Sequence, residues 1–143
     1  IKRDVVRSDE KDTGLRMILN FGHTFGHAVE KCSHFSIPHG FCVAIGMALI
    51  TAACVKRRIC EADVYSRLVA ALKARGLPFS TPYCADELFT SMMADKKRAS
   101  NTVTLVLPTG IGTVERRKVM LDEAREFLEE GLELTKNAQE AIA

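Results

Sequence analysis

Three of the four histidines, His23, His27 and His39, fall within 17 residues of one another. Arg16, Asn20, His23 and His27 are offset by 4, 7 and 11 positions from Arg16. At ~100° per helical residue, those offsets hold all four side chains within about 60° of arc. A stripe of Arg, Asn, His and His therefore runs down one side of a helix whose other side is Leu15, Ile18, Leu19, Phe25 and Val29. A solvated face more often carries Lys and Glu, which hydrate well and favour helix; Asn and His do neither. Gly22 and Gly26 weaken the helix further and let something approach its backbone. Those costs are met where a ligand docks, so the stripe reads as a site. The chemistry such a stripe offers is metal binding. Two His at i and i+4, such as His23 and His27, can share one ion. Glu30, seven residues from His23 at the edge of the stripe, does not complete a compact ligand set, and His39 lies beyond the helix in Pro38-His39-Gly40. From spacing alone a metal site is plausible but incomplete.

Other chemistry-bearing residues are weaker. Asp95-Lys96-Lys97-Arg98 is a cationic cluster at a helix end, where it complements the macrodipole unless it faces the stripe. His34 has no partner at useful spacing and reads as a surface residue. Met92-Met93 reads as core, and Arg116-Arg117-Lys118 as a charged strand edge that discourages pairing. No Ser-His-Asp or Cys-His arrangement and no glycine-rich phosphate loop is present.

The elements that must position these residues follow from periodicity. Ile1 to Gly14, dense in charge, is a short surface helix followed by a loop through Asp12-Thr13-Gly14. A helix from Leu15 to about Ser33 carries the stripe. Ser36 to Gly40 is a connector. A second helix, about Phe41 to Arg58, is apolar all round and central to the core; Phe41–Val55 is too short to span a bilayer. Glu61–Arg75 is an amphipathic helix with Val64, Leu68 and Leu72 inward, capped by Gly76 and stopped by Pro78. Ala85–Lys96 turns Leu88, Phe89, Met92 and Met93 inward. Thr102–Leu107 is a strand, Pro108-Thr109-Gly110 its turn, and Thr113–Lys118 its hairpin partner. A last helix from Leu121 buries Ala124, Phe127 and Leu128, and the tail beyond Thr135 frays. The fold class is mainly α with one small β-hairpin. Residues 1–134 form one helical domain and 135–143 its tail.

The chain has 143 residues, enough for one domain with a real core. A net charge of +2 is too small to make nucleic acid or an anionic membrane the main partner. Five cysteines, none in a CxxC pair, suit a reducing, cytoplasmic setting. The chain opens on Ile1, so it reads as a piece of a longer chain, and it carries no strand–Gly-rich-loop–helix unit of the dinucleotide-binding kind.

The run Leu19-Asn20-Phe21-Gly22-His23-Thr24-Phe25-Gly26-His27-Ala28-Val29-Glu30 resembles the signature of the 3-dehydroquinate synthase family, as does His39-Gly40-Phe41-Cys42-Val43-Ala44-Ile45-Gly46-Met47. Asp9-Glu10 to Arg16, Asp95-Lys96-Lys97 and Leu105 to Gly112 fit in the same order, so the similarity covers nearly the whole chain. It matches the family's helical C-terminal half. One departure is Phe41-Cys42, where the family often has an acidic residue and Ala.

The resemblance implies an enzyme that uses NAD and a divalent metal, Zn2+ or Co2+, to convert 3-deoxy-D-arabino-heptulosonate 7-phosphate into 3-dehydroquinate with loss of phosphate, in the shikimate route to aromatic amino acids. It implies His23 and His39 as metal ligands, with a Glu from the other half as the third, in place of the 23/27 pair that spacing suggests. It implies catalytic roles for His27, Arg16 and Asn20, with His27 near the departing phosphate. Lys2, Arg16, Asn20, His27, Lys96 and Lys97 would bind substrate, and the full-length enzyme would be a homodimer. A dianionic phosphate plus a carboxylate needs such converging cations. Competing readings are a sister cyclase making a valiolone or a deoxy-inosose, and a non-catalytic helical module keeping only the fold. His27 and the Lys pair favour the synthase over the sister cyclases. The intact His and Asn stripe argues against the module.

Overall fold

The computed structural model describes residues 22–95, 102–110 and 113–142. Five helices and one hairpin lie among them: α1 (His23–Cys32), α2 (His39–Lys56), α3 (Ala62–Ala74), α4 (Ala85–Asp95), β1 (Thr102–Gly110), β2 (Thr113–Met120) and α5 (Leu121–Ile142). Ile1 to Phe21, and with them the expected short surface helix, its loop and the start of the stripe-bearing helix, lie outside the described residues, as do Lys96 and Lys97.

The central helix is α2. It has no polar face, and its Ala44, Cys42, Ile45, Ala48, Leu49, Ile50, Ala52, Ala53 and Cys54 are all buried. One side joins Phe25 and Val29 of α1, Leu88 and Met92 of α4, Leu105 and Leu107 of β1, and Phe127 and Leu128 of α5. Another, a row of Ala44, Ala48 and Ala52, packs on Tyr65, Val69 and Leu72 of α3 and on Phe79. Its 18 residues are long and apolar enough to cross a bilayer, so length does not exclude a membrane span as the sequence suggested. What marks α2 as a core helix is that neighbouring helices take up its faces.

Small residues set the closest crossings. A Cβ on Gly46 would collide with the carbonyl oxygen of Gly22 and lie 2.5 Å from the Gly26 nitrogen. A Cβ on Gly26 would sit 2.8 Å from the Cys42 carbonyl oxygen. The backbones of α1 and α2 thus touch directly. Gly131 of α5 lies against the Leu49 carbonyl of α2 in the same way. What the glycines of α1 admit is therefore a helix, not the ligand that their cost suggested.

Three helices end in a Schellman turn, with paired bonds closing the last carbonyls around a left-handed residue. At α3 Gly76 (φ +70°) takes that place, with Leu77 N donating to Leu72 O at 2.8 Å. At α1 it is His34 (φ +55°), with Phe35 N donating to Glu30 O at 2.9 Å. At α2 it is Arg58 (φ +62°), with Ile59 N donating to Cys54 O at 2.8 Å. The opposite end of α4 is capped by the Glu87 carboxylate, which accepts from Cys84 N at 2.9 Å.

Several boundaries differ from expectation. Pro38 is the N-cap of α2, so His39 is its first helical residue and not part of the connector. The preceding helix ends at Cys32, so no helix runs into Pro38, whose fixed φ opens the one that follows. Pro108 lies within β1 opposite Val114, with the register shifting between Pro108 and Gly110, an irregularity that tolerates a residue without an N–H. Where fraying beyond Thr135 was expected, the backbone stays helical to Ile142, and Thr135 is buried. At the end of α2, Arg57 lies over the Phe127 ring at 4.1 Å and pairs with Glu123, Glu126 and Glu130 at 3.3, 3.1 and 2.6 Å. That clamp ties α2 to α5.

Candidate metal and substrate site

The glycine crossing decides where the histidines stand. Because α1 and α2 touch at Gly22, Gly26 and Gly46, the first turn of α1 lies beside the first turns of α2. His23 opens α1 and His39 opens α2. Their ring centroids are 5.7 Å apart, inclined at 49°. Two imidazoles bound tetrahedrally at Zn–N of about 2.1 Å place their centroids about 5 Å apart. The pair is therefore spaced to share one ion after a small side-chain adjustment.

His27 stands one turn along α1, half exposed, with Nδ1 3.6 Å from Glu30 Oε1. The Glu30 carboxylate, only 15% exposed, also faces His39: Nδ1 is 3.2 Å from Oε1 and 3.4 Å from Oε2. Glu30 thus lies between two histidines from different helices. Its backbone is anchored as well, since its carbonyl accepts from Ser33 Oγ at 2.9 Å. The sequence reading set Glu30 aside by counting from His23. Counted from His27 it is at i+3, the spacing that puts two residues on one helix face, and that signal would have found it.

The structure brings His23, His27 and His39 to one corner. The ring contact is between His23 and His39 across two helices, not along α1 between His23 and His27. Arg16, Asn20, Lys2, Lys96 and Lys97 lie outside the described residues. Among the described residues no group of three or more His, Cys, Asp or Glu is placed to hold a metal ion. The donor set nonetheless fits half of a zinc or cobalt site: two imidazoles at compatible spacing, one of them already held through its other ring nitrogen. His34, in its left-handed turn, points elsewhere and lines a cleft of about 410 Å³ with Cys32 and Thr90. A larger cleft of about 840 Å³ lies between residues 80–85 and α5. Neither includes His23, His27 or His39.

Solved structures place the fold. The chain is similar to 2-epi-5-epi-valiolone synthase from Streptomyces hygroscopicus, solved with NAD+ and Zn2+ bound, at a TM-score of 0.71 and 22% identity, over 83% of this chain and 32% of that one. It is also similar to 2-deoxy-scyllo-inosose synthase in complex with carbaglucose-6-phosphate, NAD+ and Co2+, at a TM-score of 0.63 and 22% identity, over 79% of this chain and 33% of that one. The helices and hairpin thus share the fold of the corresponding part of these two structures. Sequence narrows the class. The model of the 3-dehydroquinate synthase C-terminal family matches residues 1–98, and the chain belongs to that family. Among curated relatives, 3-dehydroquinate synthase of Streptococcus suis is 38% identical over 131 residues, 90% of this chain and 37% of the relative. That of Dictyoglomus thermophilum is 44% identical over 115 residues, 80% of this chain and 32% of the relative. The chain therefore spans about a third of the length of the relatives it matches.

Proposed function

We propose that this chain is the metal- and substrate-binding domain of a 3-dehydroquinate synthase, which converts 3-deoxy-D-arabino-heptulosonate 7-phosphate into 3-dehydroquinate with loss of phosphate. The observation that carries the reading is the juxtaposition of His23 and His39 at 5.7 Å by two helix starts. The 35–44% identity to dehydroquinate synthases favours this cyclisation over that of the fold neighbours at 22%.

In this reading His23 and His39 hold a divalent metal, with a carboxylate from the remainder of the full-length protein as third ligand. The metal supplies Lewis acidity at the oxygen being oxidised and NAD supplies hydride transfer. The chain's own residues bind and orient. His27, half exposed and one turn from His23, presents a ring nitrogen to the departing phosphate. Arg16, Asn20, Lys2, Lys96 and Lys97 would hold phosphate and carboxylate, a task for which Arg can grip an oxyanion bidentately. The partners in this reading are the NAD-binding half of the same protein and a second copy in a homodimer, in a cytoplasmic enzyme.

The test is the full-length protein with the heptulosonate phosphate, following phosphate release and dehydroquinate formation. His27→Ala should slow turnover by at least about tenfold and leave bound zinc at the wild-type level, whereas His39→Ala should lose zinc. Cyclisation of another sugar phosphate in place of this one would assign the chain to a sister activity. Loss of zinc from His27→Ala would restore the 23/27 pair along α1.

A further inference from the structure

We infer that Glu30 is a positioning residue for the metal centre: it holds His39 through Nδ1 and so directs Nε2 of that ring to the metal. The inference rests on the metal reading of His23 and His39. An ionised carboxylate can only accept, so the contact at 3.2 Å requires Nδ1 of His39 to carry the proton. In a neutral imidazole the lone pair then lies on Nε2, the nitrogen free to ligate. Both carboxylate oxygens lie within 3.4 Å of that one nitrogen, which confines the ring's swing as well as its tautomer.

His39 needs such a restraint. It is the first residue of α2, follows Pro38 and is 63% exposed, so little packing selects its rotamer. Glu30 is the opposite case. It is largely buried, and the Schellman end of α1 fixes its carbonyl with bonds from Phe35 N and Ser33 Oγ. A rigid carboxylate on one helix thereby orients a mobile ligand on the next. The second contact, to His27 at 3.6 Å, ties the ring beside the metal corner to the same anchor. Removing a carboxylate that supports a metal-bound His typically lowers metal affinity 10- to 100-fold.

The experiment measures zinc affinity of the full-length protein by competition with a chromophoric chelator, for wild type, Glu30→Gln, Glu30→Ala and His39→Ala. The visible spectrum of each cobalt-substituted form is recorded beside it, and circular dichroism of the metal-free proteins reports folding. The expected order is wild type, then Glu30→Gln, then Glu30→Ala. The alanine variant should be roughly 10- to 100-fold weaker with an altered cobalt band. The glutamine variant should fall between, since its amide oxygen still accepts from Nδ1 without the charge. Should Glu30→Ala misfold, the isosteric Glu30→Gln carries the comparison. Wild-type affinity and an unchanged cobalt spectrum in a folded Glu30 variant, with His39→Ala losing zinc, would overturn this inference and leave the metal site standing. Undiminished zinc binding by His39→Ala would overturn both.

Discussion

Among the described residues two hydroxyls are buried without a hydrogen-bond partner, Thr51 Oγ1 in the middle of α2 and Tyr65 Oη in α3. A buried polar atom left unpaired costs about 1–3 kcal/mol, and removing it can return part of that. Thr51→Val and Tyr65→Phe keep shape while deleting the oxygen, so each is expected to leave stability unchanged or raise it by about 1 kcal/mol in urea unfolding. A loss above 1 kcal/mol in either would show a partner for that hydroxyl. Arg58 pays for its left-handed turn by about 1 kcal/mol, and Arg58→Gly should raise the unfolding midpoint slightly. At this scale the histidines were legible because their identities are unusual for a solvated face. Glu30 was not, since a lone glutamate on a helix looks like any solvated residue until a second helix brings His39 to it.

The helices themselves were legible where one face differs from the other: α3, α4 and α5 lie close to where periodicity puts them, with Leu72, Leu88, Phe127 and Leu128 buried as read. Ends were less so. Pro38 can break a helix or begin one, and only the bonds from Phe41 N and Cys42 N to its carbonyl decide for the latter. The role of Gly46 was not legible either, because a glycine inside an apolar helix does not say what lies against it. Gly46→Ala would drive a methyl into the backbone of α1 at Gly22 and Gly26. It should cost about 3 kcal/mol or more and separate His23 from His39. Gly40→Ala, whose Cβ meets nothing within 4 Å, should be neutral or stabilise by up to about 1 kcal/mol. Thermal unfolding of the two variants, read beside zinc affinity, checks the contrast; equal effects would refute the crossing.

For the whole molecule, alkaline pH is the weak side. Burial, with Cys60 nearby, pushes the Cys54 thiol up from 9.0 to about 12, and burial pushes the Tyr65 phenol from 10.0 to about 12. Burial also raises Cys42, with Glu30 adding to it, and Cys60. Each group keeps its proton longer folded than unfolded. Below pH 9 both states are protonated and nothing is lost. Above it the unfolded chain ionises first, and stability falls through pH 12, by about 1.4 kcal/mol per pH unit for each fully coupled group. Urea midpoints should therefore drop steeply above pH 9, and Cys54→Ala should flatten that slope. A flat profile to pH 11 would contradict this burial. Among the described residues the only sheet is a two-stranded antiparallel hairpin, so the 143-residue chain alone is expected to fold yet give no heat on titration with NAD. Micromolar NAD affinity would overturn the two-half reading.

The helix crossing at Gly22, Gly26 and Gly46 has a consequence for how the protein tolerates change. His23, His27, Glu30 and His39 belong to one helical hairpin closed by the short connector 33–38, so their geometry depends on contacts of short sequence separation. The crossing of α5 on α2, where Gly131 meets Leu49, depends on residues far apart in the chain. Chain closure within the hairpin is fast and needs nothing from α5. Substitutions that drift through α5 therefore erode the global free energy before they disturb the spacing of the histidines, and the chemistry is insulated from much of the scaffold's own variation.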